Sequence, residues 1–190
     1  MSYRTVLFFS RACIVAGLTL VLAGAAIGVH TNSSTDSVQD SKSLTTVQPI
    51  GARDCGAVSL FVIARFSGNR DITLDYLRNL TSSGQYGTTM YALKVAAEHI
   101  GFVDVQGRDL SVLALARRLE TGQFAILHVH GSHFVSAIGL TKSGKIVVLD
   151  GVQGATAYEA SCLAQEIGWS GKTLVLGTKK ARSVILFQEH

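Results

Sequence analysis

Cys55 has the type and the position of a catalytic nucleophile. It stands in the run Asp54-Cys55-Gly56, at the predicted start of a helix. The free N–H groups and the dipole of a helix N-terminus favour a thiolate over a thiol, and the thiolate is the reactive form. Gly56 is expected to let a substrate backbone approach closely. A small buried thiol is the alternative for a lone cysteine, so position alone leaves both readings open.

A general base and a carboxylate that would orient it are predicted at matching ends of two strands. His133 begins the predicted strand 133–140, and Asp150 follows the predicted strand 146–149. The turn around Ser143-Gly144 makes these strands an antiparallel hairpin, so their outer ends lie together. A base and its orienting acid are commonly presented in this way. For either residue alone, a polar end to an apolar strand is the alternative.

Gln48 is the candidate oxyanion donor, seven residues before Cys55 in a loop-like stretch. Its side-chain amide and the Cys55 backbone N–H together would hold a developing oxyanion. An ordinary surface glutamine is the alternative. The Cys–His–Asp set with Gln48 predicts covalent catalysis that needs no cofactor and no metal.

Two other readings of these residue types remain open. His128 and His130 share one face of a predicted strand next to His133, and such histidines bind Zn²⁺, although no Cys or acid stands at ligand spacing nearby. A disulfide between Cys55 and Cys162 would occupy the proposed nucleophile. With Cys13 the chain has three cysteines, too few for a disulfide framework.

The elements that must position these residues change character along the chain. Hydrophobic spacing predicts helices first, with Asp54 as the N-cap of the first helix and Thr88-Thr89 capping the third. It predicts strands and one short helix later, which makes the chain α+β with an antiparallel sheet. The predicted helices are 55–67, 71–80, 89–100, 111–121 and 158–167, and the predicted strands are 102–106, 124–130, 133–140, 146–149, 173–176 and 184–187.

The composition limits the size and the partners of the folded part. The chain has 190 residues, of which 47% are hydrophobic, enough for one core plus an N-terminal extension. Its formal net charge is +4, with no basic run and no alternation of aromatic and basic residues. Nucleic-acid binding is therefore not expected.

The N-terminal segment has the pattern of a membrane-directed sequence. Arg4 and Arg11 precede residues 12–29, which contain no charge and are about long enough to cross a bilayer. Ala23-Gly24-Ala25 also fits a signal-peptide cleavage site. We therefore expect 1–30 to be a signal peptide or a transmembrane anchor, 31–46 a flexible linker and 47–190 the folded domain. The positive charges before the span predict that this domain is secreted or anchored on the extracytoplasmic side.

Several short runs resemble the double-glycine-leader peptidases, cysteine peptidase family 39, best known as the N-terminal domain of bacteriocin-exporting ABC transporters. The resemblance covers roughly Val47–Leu176. The runs are Gln48, Arg53-Asp54-Cys55-Gly56-Ala57, Gly87-Thr88-Thr89, Gly131-Ser132-His133-Phe134-Val135, Leu149-Asp150 and Trp169-Ser170-Gly171.

This resemblance implies a papain-like fold in which an N-terminal helical part packs on an antiparallel sheet. It implies a triad of Cys55, His133 and Asp150, with Gln48 as the oxyanion helper. It also implies cleavage of a leader or precursor peptide after small residues, typically Gly-Gly.

The sequence departs from the family pattern at three points. The glutamine stands seven rather than six residues before the cysteine, and Gly151 stands where the family often has proline. No transporter membrane domain or ATPase follows in this sequence, so a partner transporter is expected to be encoded separately. An inactive peptidase-like domain that binds peptides is the first alternative. Acyl transfer of the transglutaminase type, by the same triad, is the second.

Overall fold

The computed structural model describes residues 53–81, 87–179 and 185–188. Gln48, the linker 31–46 and the N-terminal segment 1–30 lie outside the described residues. Within the described part, no helix is both long enough and apolar enough to cross a membrane. The predicted span 12–29 lies outside the described residues and stays a prediction.

Five helices and seven strands make up the described chain, and they are numbered here in chain order. The helices are α1 (Cys55–Phe66), α2 (Leu74–Leu80), α3 (Met90–His99), α4 (Val112–Glu120) and α5 (Leu163–Glu166). The strands are β1 (Val103–Asp109), β2 (Phe124–Val129), β3 (His133–Thr141), β4 (Ile146–Asp150), β5 (Gly154–Tyr158), β6 (Trp169–Gly177) and β7 (Leu186–Phe187).

The strands form one sheet in the order β1-β6-β2-β3-β4-β5, and every neighbouring pair along this path is antiparallel. The predicted antiparallel sheet is therefore confirmed. The exception is β7, which pairs in parallel with the far end of β3, where Leu140 faces Leu186.

Helices cover both faces of this sheet. Alternate residues of β2 divide between two cores, because successive side chains of a strand point to opposite faces. Phe124 and Ile126 pack with α1, α2 and α3, whereas Ala125 and Leu127 pack with α4 and α5. The expected packing of the N-terminal helices on the sheet is confirmed, and α4 and α5 add a second layer on the opposite face.

Three helices begin with side-chain caps, of which the cap of α3 at Thr89 was predicted. Thr73, Thr89 and Ser111 each accept a hydrogen bond from a backbone N–H in the first turn of α2, α3 and α4, respectively. The prediction for Asp54 is wrong in this respect. Asp54 occupies the N-cap position of α1, but its carboxylate makes no cap hydrogen bond and instead accepts from Arg78 of α2.

Several boundaries differ from the sequence prediction, and two of these differences share a physical reason. The predicted helix 158–167 is shorter, because residues 154–158 form the edge strand β5 and only Leu163–Glu166 is helical. β1 continues past Gln106 to Asp109. Both strands lie at sheet edges and expose most of their side chains, so neither shows the apolar alternation by which strands are recognised.

Candidate active site

Cys55 is the first residue of α1 and is half-buried. A hydrogen bond from the buried Ser136 Oγ to the Ser59 carbonyl oxygen, 3.0 Å long, joins this helix to β3. The expectation that Gly56 opens the site to a substrate is not what the packing shows. Gly56 is buried, and a Cβ there would lie 3.0 Å from Thr88 Cβ. Gly56 therefore allows α1 to pack closely against the residues that lead into α3.

The hairpin of β3 and β4 brings the predicted base and acid together. Ser136 pairs with Leu149 in the antiparallel ladder, which places the start of β3 beside the end of β4. His133 Nε2 lies 2.9 Å from Asp150 Oδ2. The second carboxylate oxygen, Oδ1, accepts a 2.8 Å hydrogen bond from the Val152 backbone N–H. Both oxygens of Asp150 are thus engaged, and its carboxylate is fixed in front of the imidazole.

The His133 side chain acts directly on the Cys55 thiol. Burial raises the pKa of the Cys55 thiol, but the hydrogen bond to His133 and backbone hydrogen bonds at Phe134 and Gly56 outweigh this effect. The pKa of Cys55 is therefore lowered overall. Because His133 Nε2 faces Asp150, the opposite ring nitrogen, Nδ1, is left for the sulfur.

The pKa of His133 moves in the direction that complements the thiolate. The hydrogen bond to Cys55 is the largest cause; burial opposes it, and Asp150 adds to it. Together they raise the pKa of His133 to about 9. A lowered thiol pKa beside a raised imidazole pKa favours a thiolate–imidazolium pair near neutral pH.

Asp150 stays ionised in this environment. Burial raises the pKa of its carboxyl group, but the Val152 N–H and the His133 side chain stabilise the carboxylate more strongly, so the pKa is lowered overall. An ionised Asp150 orients the ring of His133 and stabilises its positive charge. The structure thus brings together three of the four predicted residues: Cys55, His133 and Asp150. Gln48, the fourth, lies outside the described residues.

The other histidines of the predicted metal alternative are used differently. The ring of His128 lies against Phe134, with 5.1 Å between ring centroids, and burial lowers its pKa with a smaller contribution from Lys172. His130 is exposed in the turn between β2 and β3. Within the residues that the structure describes, no three His, Cys, Asp or Glu side chains are grouped as a metal site would require. Cys55 and Cys162 form no disulfide.

Two features of this site are absent from the sequence prediction. Arg78 reaches Asp54 from α2, and Gly151 lies directly against Val58 of α1, where a Cβ on residue 151 would come within 2.4 Å of Val58 Cγ1. Arg78 is 24 residues from Asp54, and no local pattern connects them. The sequence did mark Gly151 as unusual, because the family often has proline at this position after Asp150.

A family model described as the Peptidase C39 family matches residues 43–181 of the 190-residue chain. The chain belongs to the peptidase C39 family. This confirms the resemblance drawn from the Asp-Cys-Gly and His-Phe-Val runs, and it places the chain in a family of cysteine peptidases. A search of curated proteins finds no match.

Solved structures similar to this C39-family chain include two peptidase domains. One is a double glycine motif protease from an AMS/PCAT transporter, in complex with the leader peptide, at 18% identity and a TM-score of 0.53, covering 69% of this chain and 89% of that one. The other is the peptidase domain of Streptococcus ComA, a bi-functional ABC transporter, at 21% identity and a TM-score of 0.54, covering 68% and 95%. These likenesses confirm the predicted α+β, papain-like fold.

Proposed function

We propose that this C39-family chain is an active cysteine endopeptidase with Cys55 as its nucleophile. The observation that supports this most directly is the position of His133 between Cys55, on whose thiol it acts, and Asp150, whose Oδ2 lies 2.9 Å from His133 Nε2. The accompanying pKa shifts, lowered for the thiol and raised to about 9 for the imidazole, are those that a thiolate–imidazolium nucleophile requires.

The reaction follows from the position of each group. The Cys55 thiolate attacks the carbonyl carbon of the scissile bond, and the resulting oxyanion is bound by the Cys55 backbone N–H and, in our proposal, the Gln48 amide. Protonated His133 gives its proton to the leaving amine, which leaves a thioester. His133, now neutral, takes a proton from water, and the hydroxide releases the acid product and regenerates the thiolate.

We propose a leader or precursor peptide as the substrate, cut after small residues of the Gly-Gly type. Family membership supports this, as does the similarity to a double glycine motif protease that has been crystallised with a leader peptide. Both similar structures belong to transporters. We therefore propose that a transporter delivers the substrate.

The proposed location rests on the N-terminal sequence. Arg4 and Arg11 before the uncharged residues 12–29 support a span or signal that puts the peptidase domain on the extracytoplasmic side. In intact cells, a membrane-impermeant thiol reagent should therefore label Cys162 in the folded domain. Labelling that requires cell lysis would refute this topology.

Cleavage of a peptide library by the purified protein, with Cys55→Ala as the control, tests the proposed activity. We expect products that end in Gly-Gly from the unchanged protein and none from the variant. Cleavage that survives in Cys55→Ala would refute the role of Cys55. Peptides that bind without being cut would indicate an inactive peptide-binding domain, and products coupled to an added amine would indicate acyl transfer.

A further inference from the structure

Asp54, the residue directly before the proposed nucleophile, forms an ion pair with Arg78 of α2. Arg78 Nε lies 3.2 Å from Asp54 Oδ2, and the two side chains are 21% and 15% exposed. Arg78 Nη1 also donates to the exposed Asp75. The Asp54 carboxylate does not cap α1, so helix capping does not explain why an aspartate pairs with Arg78 here.

Stability gives no reason for an arginine at this position. Arg78 Nη2 is buried and has no hydrogen-bond partner among the residues that the structure describes. A guanidinium that is taken out of water and left with an unsatisfied nitrogen opposes folding. When both partners of a buried ion pair are replaced by apolar side chains of similar volume, stability often changes little. Packing alone would therefore not require an ion pair between Arg78 and Asp54.

The reaction gives a better reason for the charge. A negative charge close to a thiol disfavours its ionisation, and Asp54 directly precedes Cys55 in the chain. An unpaired Asp54 would therefore oppose the thiolate that His133 stabilises. We propose that Arg78 is a positioning residue of the active site: it neutralises Asp54 and ties it to α2, so that Cys55 keeps its thiolate. This inference rests on the proposed role of Cys55 as the nucleophile.

The other charged groups near Cys55 do not supply this neutralisation. His133 of β3 faces the sulfur and is itself paired with Asp150 of β4. Arg53 precedes Asp54 and is exposed, so water screens its charge. The α3 side of the site contributes Thr88 and Leu93 against Gly56, and neither is charged. Among the described residues, Arg78 is the cation that contacts Asp54 in a shielded position.

The rate at which iodoacetamide alkylates Cys55, measured against pH on the full-length protein, tests this inference. Mass spectrometry of the tryptic peptide 54–65 reports Cys55 separately from Cys13 and Cys162. The assay needs no peptide substrate, so its outcome is independent of whether the protein cleaves peptides. In Arg78→Met, we expect the apparent pKa of Cys55 to rise by about 0.5–1 unit, which slows alkylation below that pKa by about 3–10-fold.

Companion variants distinguish charge from packing. Asp54→Asn should lower the apparent pKa of Cys55 by about half a unit, and the double variant with Arg78→Met should return it close to the original value. Arg78→Lys keeps the charge and should restore most of the effect. The matched control is Asp75→Asn, which removes the exposed partner of Arg78 and should change nothing at Cys55.

Two results would overturn the inference. One is an alkylation profile in Arg78→Met that superimposes on that of the unchanged protein. The other is a slower reaction that Asp54→Asn does not relieve, because this would mean that Arg78 acts through packing. If circular dichroism shows that Arg78→Met is unfolded, Asp54→Asn decides alone: an unchanged or raised thiol pKa in that variant refutes the proposal.

Discussion

Replacement of Gly151 with alanine should separate Asp150 from His133. A Cβ on residue 151 would lie 2.4 Å from Val58 Cγ1, whereas ordinary van der Waals contact begins at 3.4 Å. One side must therefore move by about 1 Å. Val58 is 7% exposed and belongs to a helix packed on the sheet, so we expect the loop after β4 to move.

The size of the effect follows from the hydrogen bond at stake. His133 Nε2 and Asp150 Oδ2 are 2.9 Å apart, and a further 1 Å exceeds the range in which a hydrogen bond forms. A hydrogen bond between charged groups contributes about 1.5–3 kcal/mol. We therefore expect kcat/KM to fall by about 10–100-fold in Gly151→Ala. The pKa of His133, which Asp150 helps to raise, should also fall.

The double variant is the sharper test. Without Cγ1, residue 58 meets the new methyl group only through its Cβ, at 3.5 Å, which is an ordinary contact. Val58→Ala with Gly151→Ala should therefore recover most of the lost kcat/KM on a Gly-Gly peptide, although Val58→Ala alone costs about 1–2 kcal/mol of stability. Equal kcat/KM in Gly151→Ala and the unchanged protein would refute the reasoning. So would a double variant as slow as Gly151→Ala.

Three further predictions concern the same site. The rate of peptide cleavage should rise with pH through the lowered pKa of Cys55 and fall again near pH 9, where His133 loses its proton. A rate that is constant from pH 8 to 10 would contradict a thiolate–imidazolium pair of Cys55 and His133. Asp150→Asn removes two of the effects that raise the pKa of His133, so the fall in rate at alkaline pH should begin at a lower pH. kcat/KM should also drop by at least about tenfold. A fall in rate at the same pH as in the unchanged protein would contradict this prediction. Ser136→Ala removes a buried hydrogen bond between β3 and α1 and should destabilise the fold by about 1 kcal/mol, a loss of roughly 2–6 °C in Tm, whereas Ser170→Ala, at an exposed position of β6, is the control.

Local patterns predicted those parts of the fold whose causes are local. The cap of α3, at Thr89, is formed by a residue within one turn of the backbone N–H that it binds. The hairpin that joins His133 and Asp150 depends on a short turn and two apolar strands, and both are visible in the sequence.

Features that depend on how distant elements pack were not predictable in this way. Asp54 could be placed at the start of α1, but its partner Arg78 is chosen by the packing of α2 against α1. In the sequence, Gly56 was interpreted as giving the substrate backbone room, and Gly151 as a minor departure from the family pattern. Their real constraint is contact with Thr88 and Val58, which only the folded chain brings near.

The pairing of β7 with β3 has a consequence for how this sequence is free to diverge. β3 bonds to β2 and β4 along its length and to β7 at its far end, and a Cβ at its Gly139 would come 2.6 Å from the Ile185 carbonyl oxygen. Neighbours therefore restrict β3 on both edges and both faces. The exposed edge strands β1 and β5 should tolerate more substitutions than β3. Sequence alignments with relatives at about one-fifth identity are therefore best anchored on β3.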